Sequence, residues 1–196
     1  RQRQMCIRDR SKWCGAGSSA PTPCDEGTIG NATGLGSKDE CLACEAGSWC
    51  TAGKAIPCGL STYNDLGSAD DQSYCKYCPA NSFTLKESQT SMDACICSTG
   101  FYALWRNGTL SCEPCPIGAN CTEPGLSFEH LPLDEGYWRA HTGTADVRRC
   151  PGNLEGSACE GCGGDSTCPA TNYTGCRNGT GGALSLIHIS EPTRPC

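Results

Sequence analysis

Three Cys-x-x-Cys pairs carry the clearest chemical spacing in this chain: Cys41 with Cys44, Cys75 with Cys78, and Cys112 with Cys115. Two sulfurs at that interval can hold zinc, cycle as a dithiol, or enter structural disulfides. A structural zinc site needs two pairs returning at a matched distance, whereas these pairs sit inside a longer cysteine period. Zinc binding is therefore the alternative, and crosslinking the expectation. Redox cycling lacks the βαβ setting in which such a motif operates. Other chemistry is thinner still. His130, His141 and His188 are the three histidines, with no G-x-S-x-G, H-E-x-x-H or phosphate-cradling glycine loop beside them. Asp70-Asp71 and Asp134-Glu135 read as solvated turns in preference to acid/base pairs or calcium ligands. The chain is expected to be no enzyme, with no cofactor and no metal.

Composition says what must position these residues. The 196 residues include three Phe and two Met against 25 Gly, 12 Pro and 20 Cys, too little apolar bulk for a conventional core. Crosslinks replace burial in such chains, and closing a loop of about 15 residues contributes roughly 3 kcal/mol through chain entropy. That many cysteines implies an oxidising compartment. Sequons at Asn31, Asn107, Asn172 and Asn178 agree with it, and Asn120-Cys121-Thr122 is a weaker fit because its middle cysteine is expected to be crosslinked. The net charge is −6 with no basic patch, which argues against nucleic acid and anionic membranes as partners.

The cysteines also write a repeat. Cys24, Cys41 and Cys44 recur 34 residues later as Cys58, Cys75 and Cys78, and the 17-residue step appears again from Cys78 to Cys95. Cys97 to Cys112 is a 15-residue relative ending in the third Cys-x-x-Cys. Five residues after a cysteine comes a large side chain, Ile29, Trp49, Tyr63, Phe83 or Tyr102, preceded by small or turn-forming residues. The pattern predicts a tight turn, then a short strand whose first large side chain covers a disulfide. The simplest pairing joins neighbours: Cys24–Cys41, Cys44–Cys50, Cys58–Cys75, Cys78–Cys95, Cys97–Cys112 and Cys115–Cys121. Spacing alone does not fix connectivity. Cys14 is expected to have lost an upstream partner, and Cys150, Cys159, Cys162, Cys168 and Cys176 form a separate group of open pairing.

"CPANSF" from Cys78, "CPIGAN" from Cys115 and "CSTGFY" from Cys97 resemble the ephrin type-A/B receptor-like cysteine-rich repeat, a relative of the tumour-necrosis-factor-receptor module. The resemblance runs from about Cys14 to Cys121, with Asp25, Glu45 and Gly59 where proline is usual. It implies elongated ladders of short β-hairpins in the extracellular regions of receptor-like or adhesion proteins. It also implies pairing of the first two cysteines of a module, hence Cys24–Cys41 and its copies. "LPLDEGYWRAHTGTADVRRCP" is similar to a segment that follows such repeats in large membrane proteins of unicellular eukaryotes, and "CRNGTGG" from Cys176 to the start of an EGF-like ending. Gly136 to Arg139 is readable as a recognition loop with Trp138 and Arg139 as anchors. Favoured over that is Trp138 packed over a module junction with Arg139 stacked on it.

The two ends read differently. "MCIRDR" (5–10) and "LSLIHI" (184–189) resemble translations, in opposite orientations, of one transposon-type sequencing adapter. Residues 1–10 and 184–196 are accordingly expected to be foreign, leaving 18 native cysteines. Removing the +3 of residues 1–10 from the total leaves a charge near −9. A leader or membrane anchor missing from this stretch then carries no information. The expected layout is a small, disulfide-rich, mostly irregular array of antiparallel hairpins. Repeat 1 covers 11–57, repeats 2 and 3 cover 58–95, and repeat 4 covers 96–121. A linker with the Gly-Tyr-Trp-Arg segment follows at 122–149, then a partial EGF-like stretch at 150–183. The expected function is a spacer or protein-binding ectodomain of a membrane-anchored, cell-surface parent, its protein or glycan ligand unknown. A secreted matrix or inhibitor-like protein is the second alternative.

Overall fold

A computed structural model describes residues 10–149. Cys150, Cys159, Cys162, Cys168, Cys176, Asn172, Asn178, the EGF-like stretch, residues 1–9 of the first adapter-like end and all of the second lie outside the described residues. The chain divides into two units, Arg1–Cys95 and Ile96–Cys196. Among the described residues there is no α-helix, and no helix long and apolar enough to cross a membrane.

Unit 1 is a succession of antiparallel hairpins. β1 (Lys12–Trp13) pairs with β2 (Thr22–Pro23), β3 (Thr28–Ile29) with β4 (Leu42–Ala43), β5 (Ser48–Thr51) with β6 (Lys54–Pro57), and β7 (Thr62–Tyr63) with β8 (Lys76–Tyr77). β9 (Ser82–Thr84) follows. Strands of two to four residues cannot stand alone in water. In each of these hairpins at least one strand instead adjoins a cysteine: β1, β2, β4, β6 and β8 each end next to one.

The tie repeats in the backbone. Three residues after Cys14, Cys24, Cys44, Cys58 and Cys78 the chain turns left-handed, at Gly17, Gly27, Gly47, Ser61 and Asn81, with φ between 61° and 82°. After all of these but Gly17 the next residue begins a strand, and its hydroxyl often closes the turn: Thr28, Thr62 and Ser82 each donate to the carbonyl three residues back at 2.6 Å. The left-handed residue's own carbonyl then accepts from a later cysteine, Cys44 N–H to Gly27, Cys58 to Gly47 and Cys78 to Ser61, each at 2.9 Å. Asn and Ser visit this conformation at some cost, and Gly at little. Each 17-residue loop ends in a short 3-10 turn, at Lys38–Glu40, Gln72–Tyr74 and Met92–Ala94, that delivers its second cysteine. Asp71 and Ser91 cap two of them by accepting from the N–H groups of Ser73 and Asp93.

Successive modules of unit 1 also interlock. Ser68 N–H donates to Cys44 O, Cys50 N–H to Ala69 O and Gly47 N–H to Asn64 O, all at 2.8 Å. Asn64 has no exposed surface. Its Nδ2 donates to Ser48 O at 2.9 Å, its Oδ1 accepts from Leu66 N–H at 3.0 Å, and its backbone N–H donates to Gln89 O at 2.9 Å. One buried asparagine thus ties three segments together, 47–48, 64–66 and 89, with its hydrogen-bonding groups satisfied as burial requires.

Unit 2 opens with β10, which runs Cys95–Cys97 across the boundary. β11 (Phe101–Arg106) then pairs with β12 (Thr109–Pro114) over six residue pairs. Its only two-residue turn, Asn107-Gly108, has both residues left-handed, the geometry that matches strand twist. Gly100 and Gly118, three after Cys97 and Cys115, continue the left-handed series. Unit 2 adds a small apolar cluster: Tyr102, Cys121 and Leu131, with Leu104, Cys115, Ala119, Leu126 and Phe128 packed on it. The Tyr102 and Phe128 rings stack at 5.6 Å.

Two expectations are corrected here. Residues 122–149 were read as a linker, but they supply Leu126, Phe128 and Leu131 to that cluster and run 132–134 back along 118–120. They end in the hairpin of β13 (Tyr137–Arg139) and β14 (Val147–Arg149). The polarity and glycine content of the stretch hid how few, closely spaced apolar residues are needed once disulfides supply the frame. Cys14, expected to be left without a partner, is disulfide-bonded.

Gly17 and Gly47 share the left-handed backbone, but nothing lies within 4 Å of a side chain at 17, whereas one at 47 would collide with the Ser88 carbonyl. Gly17→Ala is expected to cost about 1–2 kcal/mol from the backbone alone, and Gly47→Ala distinctly more. Thermal unfolding of the two variants checks this; equal losses would mean that the module-to-module contact is not tight.

Candidate functional site

The chemistry of the Cys-x-x-Cys pairs is decided by where their sulfurs go. Six disulfides join Cys24–Cys41, Cys44–Cys50, Cys58–Cys75, Cys78–Cys95, Cys97–Cys112 and Cys115–Cys121, with Cα separations of 5.5–6.0 Å. The two cysteines of each Cys-x-x-Cys among the described residues therefore belong to different bridges. Neither can close a dithiol ring on the other, and neither offers a thiolate to a metal. Cys24, Cys44, Cys50, Cys58 and Cys97 are buried to 2% exposure or less, and in the Cys44–Cys50 and Cys97–Cys112 bridges both sulfurs are shielded from solvent thiols. Among the described residues no group of three or more His, Cys, Asp or Glu is placed to hold a metal ion.

The large residue five positions after each cysteine is buried in Tyr63 and Tyr102 and half-buried in Ile29, Trp49 and Phe83. Tyr102 lies against Cys121 and Cys115 in the unit 2 cluster. Burial pushes its phenol pKa up, and the Glu113 carboxylate across the ladder adds to that.

The histidines and carboxylates serve local turns. His130 Nδ1 shares a hydrogen with Ser127 Oγ at 2.8 Å, and His141 Nδ1 accepts from Gly143 N–H at 3.1 Å, both in exposed loops. Asp71 Oδ1 accepts from Ser73 N–H, which holds its carboxyl below the usual carboxylate range. Asp65 is lowered likewise by its hydrogen bond from Lys76 Nζ at 2.6 Å.

In the Gly-Tyr-Trp-Arg segment the structure departs from the reading of Arg139 as an interface anchor. Its side chain has no exposed surface. Nη1 donates to Phe128 O at 2.9 Å and Thr142 O at 3.3 Å, and Nη2 to Glu129 O at 2.8 Å. The guanidinium thus gathers loop carbonyls around the β13–β14 hairpin, and desolvation lowers its pKa from the usual value. It is unavailable as an interface anchor. Tyr137 lays its ring against Gly118, where any side chain would collide with it. The sequence signal for such a role is slight, since a buried arginine and a surface one look alike in a turn-rich stretch.

What faces water in unit 1 is more informative. Leu60, Tyr77 and Leu85 are 59%, 83% and 70% exposed. They flank a backbone junction in which Cys78 N–H donates to Ser61 O and Ser61 N–H to Thr84 Oγ1, both at 2.9 Å. Three large apolar side chains thus project from neighbouring points of one rigid crossing. Tyr77 is there because the two residues between the cysteines of a Cys-x-x-Cys form the outer strand of a hairpin. The equivalent place in β4 is held by Ala43, and Leu42, at 50% exposure, stands where β8 has Lys76. Exposed apolar side chains gathered on a held frame are candidate interaction points. Of the sequons, Asn31 and Asn107 are exposed, whereas Asn120 Oδ1 accepts from Thr122 N–H and Oγ1.

Arg139→Met is expected to leave three carbonyl groups short of a donor, at about 1.5–3 kcal/mol for each charge-assisted bond that water does not replace. Denaturant unfolding of unit 2 would show the loss, with Arg139→Lys intermediate because an ammonium cannot span the same fork. No change in either variant would mean the loop carbonyls are held by other groups. Comparison with known protein families and with characterised proteins finds no match to this chain.

Proposed function

We propose that this chain is a length of an extracellular region of a receptor-like or adhesion protein, in which a disulfide frame displays an apolar surface to a protein partner. The observation that carries the reading is the exposure of Leu60, Tyr77 and Leu85 beside a junction held by the Cys78 N–H to Ser61 O and Ser61 N–H to Thr84 Oγ1 hydrogen bonds. A soluble spacer has no need of three such side chains in water, and a frame held by bridges can display them without collapsing on them. The oxidised, buried sulfurs support an oxidising compartment over the cytosol. Partners of the opposite electrostatic kind to nucleic acid fit an acidic chain.

Two measurements test this. Alkylation of the unreduced, denatured chain is expected to leave Cys24, Cys41, Cys44, Cys50, Cys58, Cys75, Cys78, Cys95, Cys97, Cys112, Cys115 and Cys121 unlabelled, with or without a chelator. Labelling that appears on metal removal would restore the zinc alternative. A photo-crosslinking benzoylphenylalanine placed at Tyr77 is expected to capture a cell-surface or matrix protein from the parent cells, while the same group at Lys54 captures none. Equal capture at both positions would remove the binding role and leave only a spacer.

A further inference from the structure

We propose that Asn107 carries an N-linked glycan whose first sugar lies on the indole of Trp105. The inference rests on the extracellular reading, because the transfer takes place in the secretory lumen. Asn107-Gly108-Thr109 supplies the acceptor amide and the hydroxyl two residues on. Asn107 and Gly108 form the two-residue turn between β11 and β12, with φ of 50° and 74°, and Arg106 opposite Thr109 closes the ladder behind them. Both sequon ends are exposed. A glycan on Nδ2 would project beyond the last ladder pair and displace no packing.

Trp105 is the second observation. It is 44% exposed, although Leu110, directly across the ladder, is 2% exposed. A strand rises about 3.4 Å per residue, so the Cα atoms of Trp105 and Asn107 are at most about 7 Å apart, a span that one pyranose ring can bridge. The C–H face of an N-acetylhexosamine covers an aromatic ring as other apolar surface does, removing both from water. The other described sequons lack this arrangement. At Asn120 the amide oxygen is already engaged by Thr122, and Cys121 is bridged to Cys115 and 6% exposed. Asn31 is exposed, but two residues before it stands the aliphatic, half-buried Ile29. In the transfer, Asn107 Nδ2 bonds to the anomeric carbon of an oligosaccharide carried on a polyprenyl diphosphate. The sugar–oxygen bond to that diphosphate breaks, the lipid diphosphate leaves, and the amide gives up one proton.

The test secretes the full chain behind a cleavable leader from eukaryotic cells and maps its peptides by mass spectrometry, with enzymatic glycan release in oxygen-18 water. Expected are a glycan at Asn107, an oxygen-18 aspartate there after release, none at Asn120, and complete loss of the Asn107 glycan in Thr109→Ala. Release should lower the Tm by a few degrees, and Trp105→Ser, which keeps the sequon, should abolish that difference. A secreted, fully oxidised chain with Asn107 unmodified overturns the proposal and leaves the extracellular reading standing. Retention in the cell with free thiols overturns both. A glycan at Asn107 whose release lowers the Tm equally in Trp105→Ser overturns the contact with the indole.

Discussion

Everything in this fold depends on a cysteine that is followed, three residues later, by a left-handed backbone. The disulfide fixes one end of a turn, the left-handed residue reverses the chain, and its carbonyl is presented to the N–H of a later cysteine. Each element is weak by itself. A two-residue strand forms one or two ladder pairs, and an isolated left-handed residue is unfavourable unless it is glycine. Joined, they make a unit in which the covalent bond removes unfolded-state freedom and the hydrogen bonds use the geometry it provides.

Such a frame changes what the side chains must do. With bridges supplying the order, few apolar residues need burial, so leucines and tyrosines can stand in water at Leu60, Tyr77 and Leu85 without unfolding the module. Polar side chains gain importance in compensation. Asn64 in unit 1 and Arg139 in unit 2 are wholly buried, and each gathers backbone groups that the short strands leave unpaired. These two residues do for the loops what a ladder does in a longer sheet. The two units differ in how far they go this way. Unit 2 adds Tyr102, Phe128 and Leu131 as an apolar cluster, and its longest hairpin is the one with an Asn-Gly turn.

The cysteine period made the hairpin repeat legible, because a disulfide joins residues whose separation is written directly in the chain. The neighbour scheme drawn from it coincides with the six bridges of the structure. The Asn107-Gly108 turn was visible as a sequon and not used as a hairpin signal, although it is both. Asn64 and Arg139 were not legible as buried, since nothing in a polar, turn-rich stretch distinguishes a side chain that faces carbonyls from one that faces water. Leu131 and Leu133 were passed over for the opposite reason. Two leucines among prolines look like a linker until a partner segment, here 118–120, is known to lie beside them.

The division of each Cys-x-x-Cys between two bridges has a mechanical side. A pull along the backbone from Cys24 to Cys95 bypasses every loop closed by a bridge and loads only the segments between them. These are the two residues between Cys41 and Cys44, the seven between Cys50 and Cys58, and the two between Cys75 and Cys78. Tension therefore meets covalent sulfur at all but one place, and this stretch behaves as a short tether that gives only where the β5–β6 hairpin parts between Cys50 and Cys58.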